Sequence, residues 1–339
     1  MLKKTLVVAA LATVAFAGAA QARDQIRIVG SSTVYPFATA VAEQFGKTSG
    51  FKTPVVESTG TGGGLKLFCA DAGPDSPDIA NASRRIKQSE VDACDKAGIK
   101  DISEIVIGYD GIVVAKAKSG KPMALTREQL FKAIAKTVPV GGKLVPNPYK
   151  KWSDVDPSLP KEDIVVFGPA SNHGTRDALV ELVMDEACDK FPEIKALDAG
   201  AKKVACDAVR EDGSFIEVSE NYTVTLQKLM ALPYSVGILT FSYLDQNGDK
   251  IQAATIDGQQ ATYDNIATGK YPVSRPLYFY VKKSHVGLIP GMKEYIAEFT
   301  SEKAWGKEGY LAEKGLIAMP DAQRKTEAQK GKDLPNLKL

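Results

Sequence analysis

The stretch Glu57-Ser58-Thr59-Gly60-Thr61-Gly62-Gly63-Gly64-Leu65-Lys66 constrains this chain more than any other. The apolar run Pro54-Val55-Val56 ends at it, and a helix-like pattern carrying Leu65, Leu67 and Phe68 begins as it closes. A strand that turns into a helix over four glycines leaves the backbone bare, and the first-turn amides of a helix have no internal partner. Those amides, the positive end of the helix dipole and the hydroxyls of Ser58, Thr59 and Thr61 suit an oxyanion. The spacing fits neither common nucleotide motif. A P-loop needs Gly-x4-Gly-Lys-Ser/Thr, and a dinucleotide fingerprint needs glycine where Leu65 stands. Taken alone, the stretch also reads as a flexible turn without a ligand.

The same plan recurs twice. Gly30–Thr33 follows a strand-like Gln25–Val29 and precedes a helix-like Pro36–Phe45 with proline in its first turn. Ser171–Thr175 follows a strand-like Asp163–Phe167 and opens a helix running from Thr175 to about Asp185. In open α/β sheets ligands gather at strand carboxyl ends, where helix starts converge. A tetrahedral anion needs donors from several directions, so three such turns predict one shared anion site.

Short β-branched runs alternate with amphipathic segments along the whole chain, the pattern of an α/β protein. Asp78–Ala82 reads as a buried strand entering Ser83-Arg84-Arg85, followed by a helix through Glu90–Lys96. Ser103–Ile107 and Ile112–Lys116 are strand-like runs parted by Gly108-Tyr109-Asp110-Gly111, a crossing point between two lobes. Thr126-Arg127-Glu128-Gln129 is a capping box. Residues 138–160 read as loop-rich and 189–214 as irregular. A helix over Glu220–Leu232 and a strand over Val236–Phe241 lead to a hairpin at Asn247-Gly248. Pro276–Val281 is the second crossing, helices follow at Gly291–Thr300 and Lys303–Lys314, and the charged chain from Pro320 reads as a poorly ordered tail.

Lys3 and Lys4 precede an apolar run from Leu6 to Ala17, and Ala20-Gln21-Ala22 has the small-x-small form of a signal-peptidase site. The run is shorter than the ~20 residues that span a bilayer. Residues 1–22 therefore read as a leader, with no cysteine after the cleavage site for a lipid anchor. Removing them from 339 residues leaves 317, enough for two lobes. The chain has 43 basic and 41 acidic residues; losing Lys3 and Lys4 leaves 41 of each. A neutral mature chain argues against nucleic-acid binding. The four cysteines fall into two local pairs, Cys69 with Cys94 and Cys188 with Cys206, suited to disulfides in an oxidising compartment, although other pairings are open. No Cys-x2-Cys spacing or acidic cluster beside a histidine suggests a metal, and no cofactor is expected.

Arginines bring charge to the expected site. Arg84 follows a strand end and Arg176 adjoins Gly174-Thr175, each placed for a planar, bidentate contact. Arg85 reads as a surface residue, and Arg275 as structural on the crossing strand. His173 reads either as a ligand contact or as a capping residue, and His285 as surface.

Gly-Ser-Ser-Thr-Val-Tyr-Pro (30–36), Gly-Thr-Gly-Gly-Gly-Leu-Lys (60–66), Asp-Ile-Ala-Asn-Ala-Ser-Arg (78–84), Gly-Thr-Arg-Asp (174–177) and the late Tyr-Pro-Val-Ser-Arg-Pro-Leu-Tyr (271–278) occur in that order. Together they resemble the phosphate-binding proteins of high-affinity phosphate ABC transporters over nearly all of the mature chain. The resemblance implies a two-lobed periplasmic-binding-protein fold, each lobe a mixed sheet flanked by helices, joined by two crossing strands. Lobe 1 would comprise residues 23–109 and 275–339, and lobe 2 residues 110–274. A monomeric periplasmic protein would close over inorganic phosphate and dock on a membrane permease. By position, Ser32, Thr33 and Val34 would contact phosphate from the first helix start, Ser58 and Thr61 from the second, and Ser83 and Arg84 from the next strand end. Ser171, His173, Gly174 and Thr175 match the family's Ser-Gly-Thr loop, with Arg176 nearby.

Two departures stand out. Many family members carry an aspartate, acceptor for the proton of hydrogen phosphate, where this chain has Arg84, and serine is common where it has His173. The acceptor that rejects unprotonated sulfate is thus left open among Asp110, Asp177, another carboxylate and His173. The alternative ligand is sulfate or another tetrahedral oxyanion. The alternative of another class is an exported phosphate-ester hydrolase with Ser58 as nucleophile, although no Gly-x-Ser-x-Gly elbow appears. A surface interaction protein that kept the fold without the ligand is a third.

Overall fold

The computed structural model describes residues 23–171, 173–218 and 222–339, so the expected leader over residues 1–22 lies outside the described residues. The chain opens with strand–helix units: β1 (Arg27–Gly30), α1 (Tyr35–Thr48), β2 (Val55–Ser58), α2 (Thr61–Phe68), β3 (Ile79–Ala82) and α3 (Gln88–Lys96). The 16-residue β4 (Ile102–Ala117) follows, then β5 (Ala124–Leu125), α4 (Arg127–Ile134), the hairpin β6 (Thr137–Val140) and β7 (Lys143–Pro146), α5 (Trp152–Val155) and β8 (Val166–Pro169). A helical run comprises α6 (Gly174–Leu179), a π-helical turn (Val180–Met184) and α7 (Asp185–Cys188). After α8 (Pro192–Lys195) and α9 (Ala199–Asp207) come β9 (Phe215–Val218), α10 (Tyr222–Ala231), β10 (Val236–Thr240), α11 (Phe241–Gln246), β11 (Ile251–Ala253), β12 (Thr255–Ile256) and α12 (Tyr263–Ala267). β13 (Ser274–Lys282), α13 (Met292–Phe299), α14 (Glu302–Trp305) and α15 (Asp321–Asp333) complete the fold.

β4 joins two half-sheets in the order β2-β1-β3-β13-β4-β10-β8-β9, with β11 also on β4. In one lobe β2, β1 and β3 are parallel, and β13 runs antiparallel to β3 and to the first part of β4. In the other, β10, β8 and β9 are parallel, and the second part of β4 pairs antiparallel with β10 and β11. The handover is sharp: Ser274 lies opposite Gly111, and Thr240 opposite Ile112. The glycine break at Gly108 does not end the strand. Gly108 has φ 148°, and a Cβ there would fall 2.7 Å from Leu316 Cδ1 and 2.9 Å from the Ile317 carbonyl oxygen. Beside it a bulge displaces Ile107, and Tyr109 exchanges both backbone bonds with Ile317 (2.8 and 3.0 Å). The glycine is a docking point for returning chain rather than a gap.

Both cysteine pairs form as expected, Cys69 with Cys94 and Cys188 with Cys206. The capping box at Thr126 is also present, with Gln129 N donating to Thr126 Oγ1 (3.1 Å) and Thr126 N to Gln129 Oε1 (2.8 Å). Other expectations need correction. Asn247-Gly248 is the turn from α11 to β11 rather than a hairpin, because β11 pairs with β4. Residues 138–160 and 189–214 hold a hairpin and short helices. The expected helix over Lys303–Lys314 is the single turn of α14, after which the chain turns back over Gly306 and Gly309.

The expected disordered tail is largely α15. Its buried Glu327 accepts from Val106 N (2.9 Å), and its buried Arg324 donates to the Met319 carbonyl (2.6 Å) and pairs with Glu302. Polar side chains anchor this helix, which hydrophobic patterning does not register. His285 is likewise fully buried rather than at the surface. It lies 2.6 Å from Asp78, which also accepts from Arg23 (2.7 Å) and the Arg27 amide (2.7 Å).

Candidate functional site

The first two strand–turn–helix units meet because two glycines let backbone touch backbone. A Cβ on Gly64 would lie 2.3 Å from Gly30 Cα, and one on Gly30 2.1 Å from the Asn81 carbonyl oxygen. The first turn of α2 therefore sits directly on the end of β1, next to the start of α1. The amides of Ser32 and Thr33 have no backbone acceptor among the described residues. α2 begins at Thr61 behind Gly60, which holds φ 71° as the helix cap, and its opening amides have no partner within the helix. Thr61 Oγ1 accepts from Ser83 N (3.1 Å) and lies 3.0 Å from Ser83 Oγ, tying the end of β3 to the same place.

The third unit comes from the other lobe. His173 caps α6, its Nδ1 accepting from Thr175 N at 3.3 Å, which puts the neutral ring's proton on Nε2. Thr175 Oγ1 lies 3.1 Å from that Nδ1 and 2.6 Å from Tyr222 OH. A Cβ on Gly174 would stand 3.3 Å from Thr33 Cα, so the starts of α6 and α1 nearly touch. Ser32 Oγ donates to Asp177 across this junction.

The charged groups are sorted differently from the sequence expectation. Arg84 makes a two-pronged pair with Glu90 (2.9 and 2.7 Å). Burial works against the Glu90 charge, yet Arg84 and the Lys87 amide hold its carboxyl below the usual range. Arg176 is buried but turned to other partners: the Pro169 carbonyl (3.0 Å), Glu217 (2.5 Å) and the Phe215 ring (5.0 Å). Arg275, left out of the expected site, donates to Thr33 Oγ1 (3.0 Å), pairs with Glu181 on the π-helical turn and lies 3.5 Å from Asp110. Burial pushes the Asp110 carboxyl up, opposed by Arg275.

Of the expected residues, Ser32, Thr33, Val34, Thr61, Ser83, His173, Gly174 and Thr175 lie at or beside the junction of helix starts. Val34 is the buried cap of α1. Ser58 is exposed at the end of β2, and Ser171 is exposed beside a groove that Arg176, Arg210 and Glu217 also line. Arg275 and Tyr222 were missed as site residues. A charged residue inside the strand-like Val-Ser-Arg-Pro-Leu-Tyr was the available signal for Arg275; Tyr222 offered none. Among the described residues no group of three or more His, Cys, Asp or Glu is placed to hold a metal ion. No helix of the described residues is long and apolar enough to cross a membrane.

A family model described as a PBP superfamily domain matches residues 16–303. The phosphate-binding protein PstS of Staphylococcus haemolyticus is 30% identical over 304 residues, covering 88% of this chain and 82% of its own. Protein SphX of Synechococcus elongatus is 30% identical over 260 residues, covering 75% and 67%. The solved structure of a possible phosphate binding protein from Planctomyces limnophilus superposes with TM-score 0.73 at 27% identity, covering 91% of this chain and 98% of that one. With three helix starts meeting between two lobes, and with these relatives, the chain belongs to the PBP superfamily and, within it, to the PstS-type phosphate-binding proteins.

Proposed function

We propose that this protein captures inorganic phosphate between its two lobes and delivers it to the membrane permease of an ABC transporter. The observation that carries the reading is the junction of the α1, α2 and α6 starts. Bare amides at Ser32 and Thr33, the opening amides of α2 and the hydroxyls of Thr61, Ser83 and Thr175 converge there from both lobes. An oxyanion at a helix start is held by oriented donors and dipole without needing a net positive charge. The family and the phosphate-binding relatives support the choice of anion.

In this reading lobe 1 is residues 23–109 with 275–339 and lobe 2 is residues 110–274. The register of β4 with β13 and β10 supports those bounds. Closure about Asp110 and Arg275 shields the anion from water. Residues 1–22 act as the leader, and the protein works outside the cytoplasm, as its two disulfides favour. The protein acts as a carrier rather than an enzyme, since Ser58 is exposed and the two histidines are engaged with Thr175 and Asp78.

Calorimetric titration tests this. Protein stripped of ligand by unfolding and refolding is expected to bind phosphate with a Kd of about 1 μM or tighter, equivalent to roughly −8 kcal/mol. Folded protein that gives no heat with phosphate refutes the reading.

A further inference from the structure

We propose that the segment Gly315–Ala318 is a strap at the hinge, a third tie between the lobes that favours their closed orientation and slows anion release without touching the anion. The inference rests on the phosphate-binding reading and the lobe bounds above, and it adds a control point to the two crossing strands.

By its backbone the strap belongs to lobe 1. Ile317 exchanges both backbone bonds with Tyr109 (2.8 and 3.0 Å), and Leu316, Ile317 and Ala318 are buried. Two of its carbonyls are taken from lobe 2. Ser242 Oγ, on α11, donates to the Gly315 carbonyl (3.0 Å), and Tyr263 OH, on α12, donates to the Ala318 carbonyl (2.7 Å). Lys307 of lobe 1 also places its ammonium 5.6 Å from the centre of the Tyr263 ring.

The strap lies where lobe 2 must pivot. Tyr109 stands just before Gly111 and Ile112, where β4 passes from one lobe to the other. A Cβ on Gly111 would meet Ile317 Cδ1 at 3.3 Å and Ile266 Cδ1 at 3.5 Å, so a side chain from each lobe stands over this point. Rotation of lobe 2 here carries Ser242 and Tyr263 along, while the strap stays with Tyr109. A hydroxyl-to-carbonyl bond spans only about 2.5–3.0 Å. Both bonds therefore belong to the orientation in which the α1 and α6 starts meet. A cavity of about 470 Å³ opens beside the strap, bounded by Phe241 and Tyr263 from lobe 2 and by Lys307 and Leu316 from lobe 1. Close packing does not duplicate the two bonds there.

Contacts made in one of two states shift the equilibrium by their differential free energy. Losing the strap bonds lowers the closed fraction, and the apparent Kd rises by the same factor. The anion enters the open form, so the change falls on the dissociation rate.

The test compares the parent, Tyr263→Phe, Ser242→Ala, the double variant and Tyr310→Phe, each checked for folding by circular dichroism. Calorimetry with inorganic phosphate gives Kd, and radiolabelled phosphate chased with unlabelled phosphate gives the dissociation rate. Tyr263→Phe removes one oxygen and keeps the ring beside Lys307. Each single strap variant is expected to raise Kd by about 3- to 10-fold, the range for one lost hydrogen bond, and the double variant by more than either. The dissociation rate should rise by the same factor, leaving the association rate, their ratio, within about twofold of the parent. Tyr310→Phe deletes a hydroxyl that bonds Glu298 within lobe 1 (3.1 Å), and both constants should stay at parent values. Should the double variant fail to fold, Tyr263→Phe decides alone. Parent dissociation rates in the folded strap variants overturn the proposal while the phosphate reading stands. Slower association with unchanged dissociation, or an equal effect from Tyr310→Phe, overturns it as well. A parent that binds no phosphate removes both.

Discussion

Gly64→Ala tests whether the glycines serve backbone approach or merely flexibility. The new methyl carbon would start 2.3 Å from Gly30 Cα and 2.8 Å from Gly30 N, with backbone on the other side of the contact. Relief to an ordinary separation of 3.4 Å requires α2 to move by about 1.1 Å (3.4 − 2.3). Overpacking of this kind costs about 1–3 kcal/mol, while alanine gains up to about 1 kcal/mol over glycine in a helix. The expected net loss is about 1–2 kcal/mol in urea denaturation. Since the shift carries Thr61 away from Ser83, phosphate affinity should fall about tenfold or more. Gly63→Ala is the matched control: its methyl would meet Thr59 Cβ at 3.7 Å, an ordinary contact at an exposed position. Its stability should hold or rise by up to about 1 kcal/mol. Gly64→Ala with parent stability and parent affinity would refute the idea that this contact positions α2.

Further expectations follow from the same geometry. Arg84→Ala should change stability by no more than about 1 kcal/mol, as for a partly exposed pair, and phosphate affinity by less than about threefold. A tenfold loss on titration would mean that the loaded cleft draws Arg84 away from Glu90. Replacing Cys188 and Cys206 together by alanine should cost about 3 kcal/mol in urea denaturation and leave anion affinity intact, because that pair joins α7 to α9 away from the junction. Burial lowers the Lys282 ammonium to about 8, although it donates to the Asp71 carbonyl (2.7 Å) and Ser76 Oγ (2.5 Å). Between that value and the ordinary 10.5 the unfolded chain holds the extra proton, so stability rises with pH across this window and the gain is lost as pH falls through 8. From about pH 8 to 10 the parent should gain at most about 2 kcal/mol over Lys282→Met in urea midpoints. Parallel profiles would show that Lys282 keeps its proton in the fold.

The expected strands and helices that proved right were those with a local cause. β1, β2 and β3 end where apolar runs give way to Gly-Ser-Ser, Ser-Thr-Gly and Ser-Arg, and α1, α2 and α6 begin within a few residues. The errors came where a local signal had a distant explanation. Gly108 looked like a break because nothing nearby shows that Leu316 and Ile317 dock there. His285 looked exposed among charged neighbours, yet its partner Asp78 lies 207 residues away. The tail looked disordered because its anchors, Val106 and Glu302, belong to other elements.

By itself the sequence determined the α/β alternation and the three strand–turn–helix cradles, and it favoured the two local cysteine pairs. All depend on residues close in the chain, where periodicity, caps and glycine act directly on the backbone. The tertiary structure alone decided which charges reach the junction. Arg84 is taken by a glutamate six residues on, whereas Arg275 reaches Thr33 across a separation of 242 residues, because the β13–β4 register sets it opposite Asp110. A long side chain pairs with whatever packing brings within its reach, and packing between the lobes is written in no short stretch of sequence.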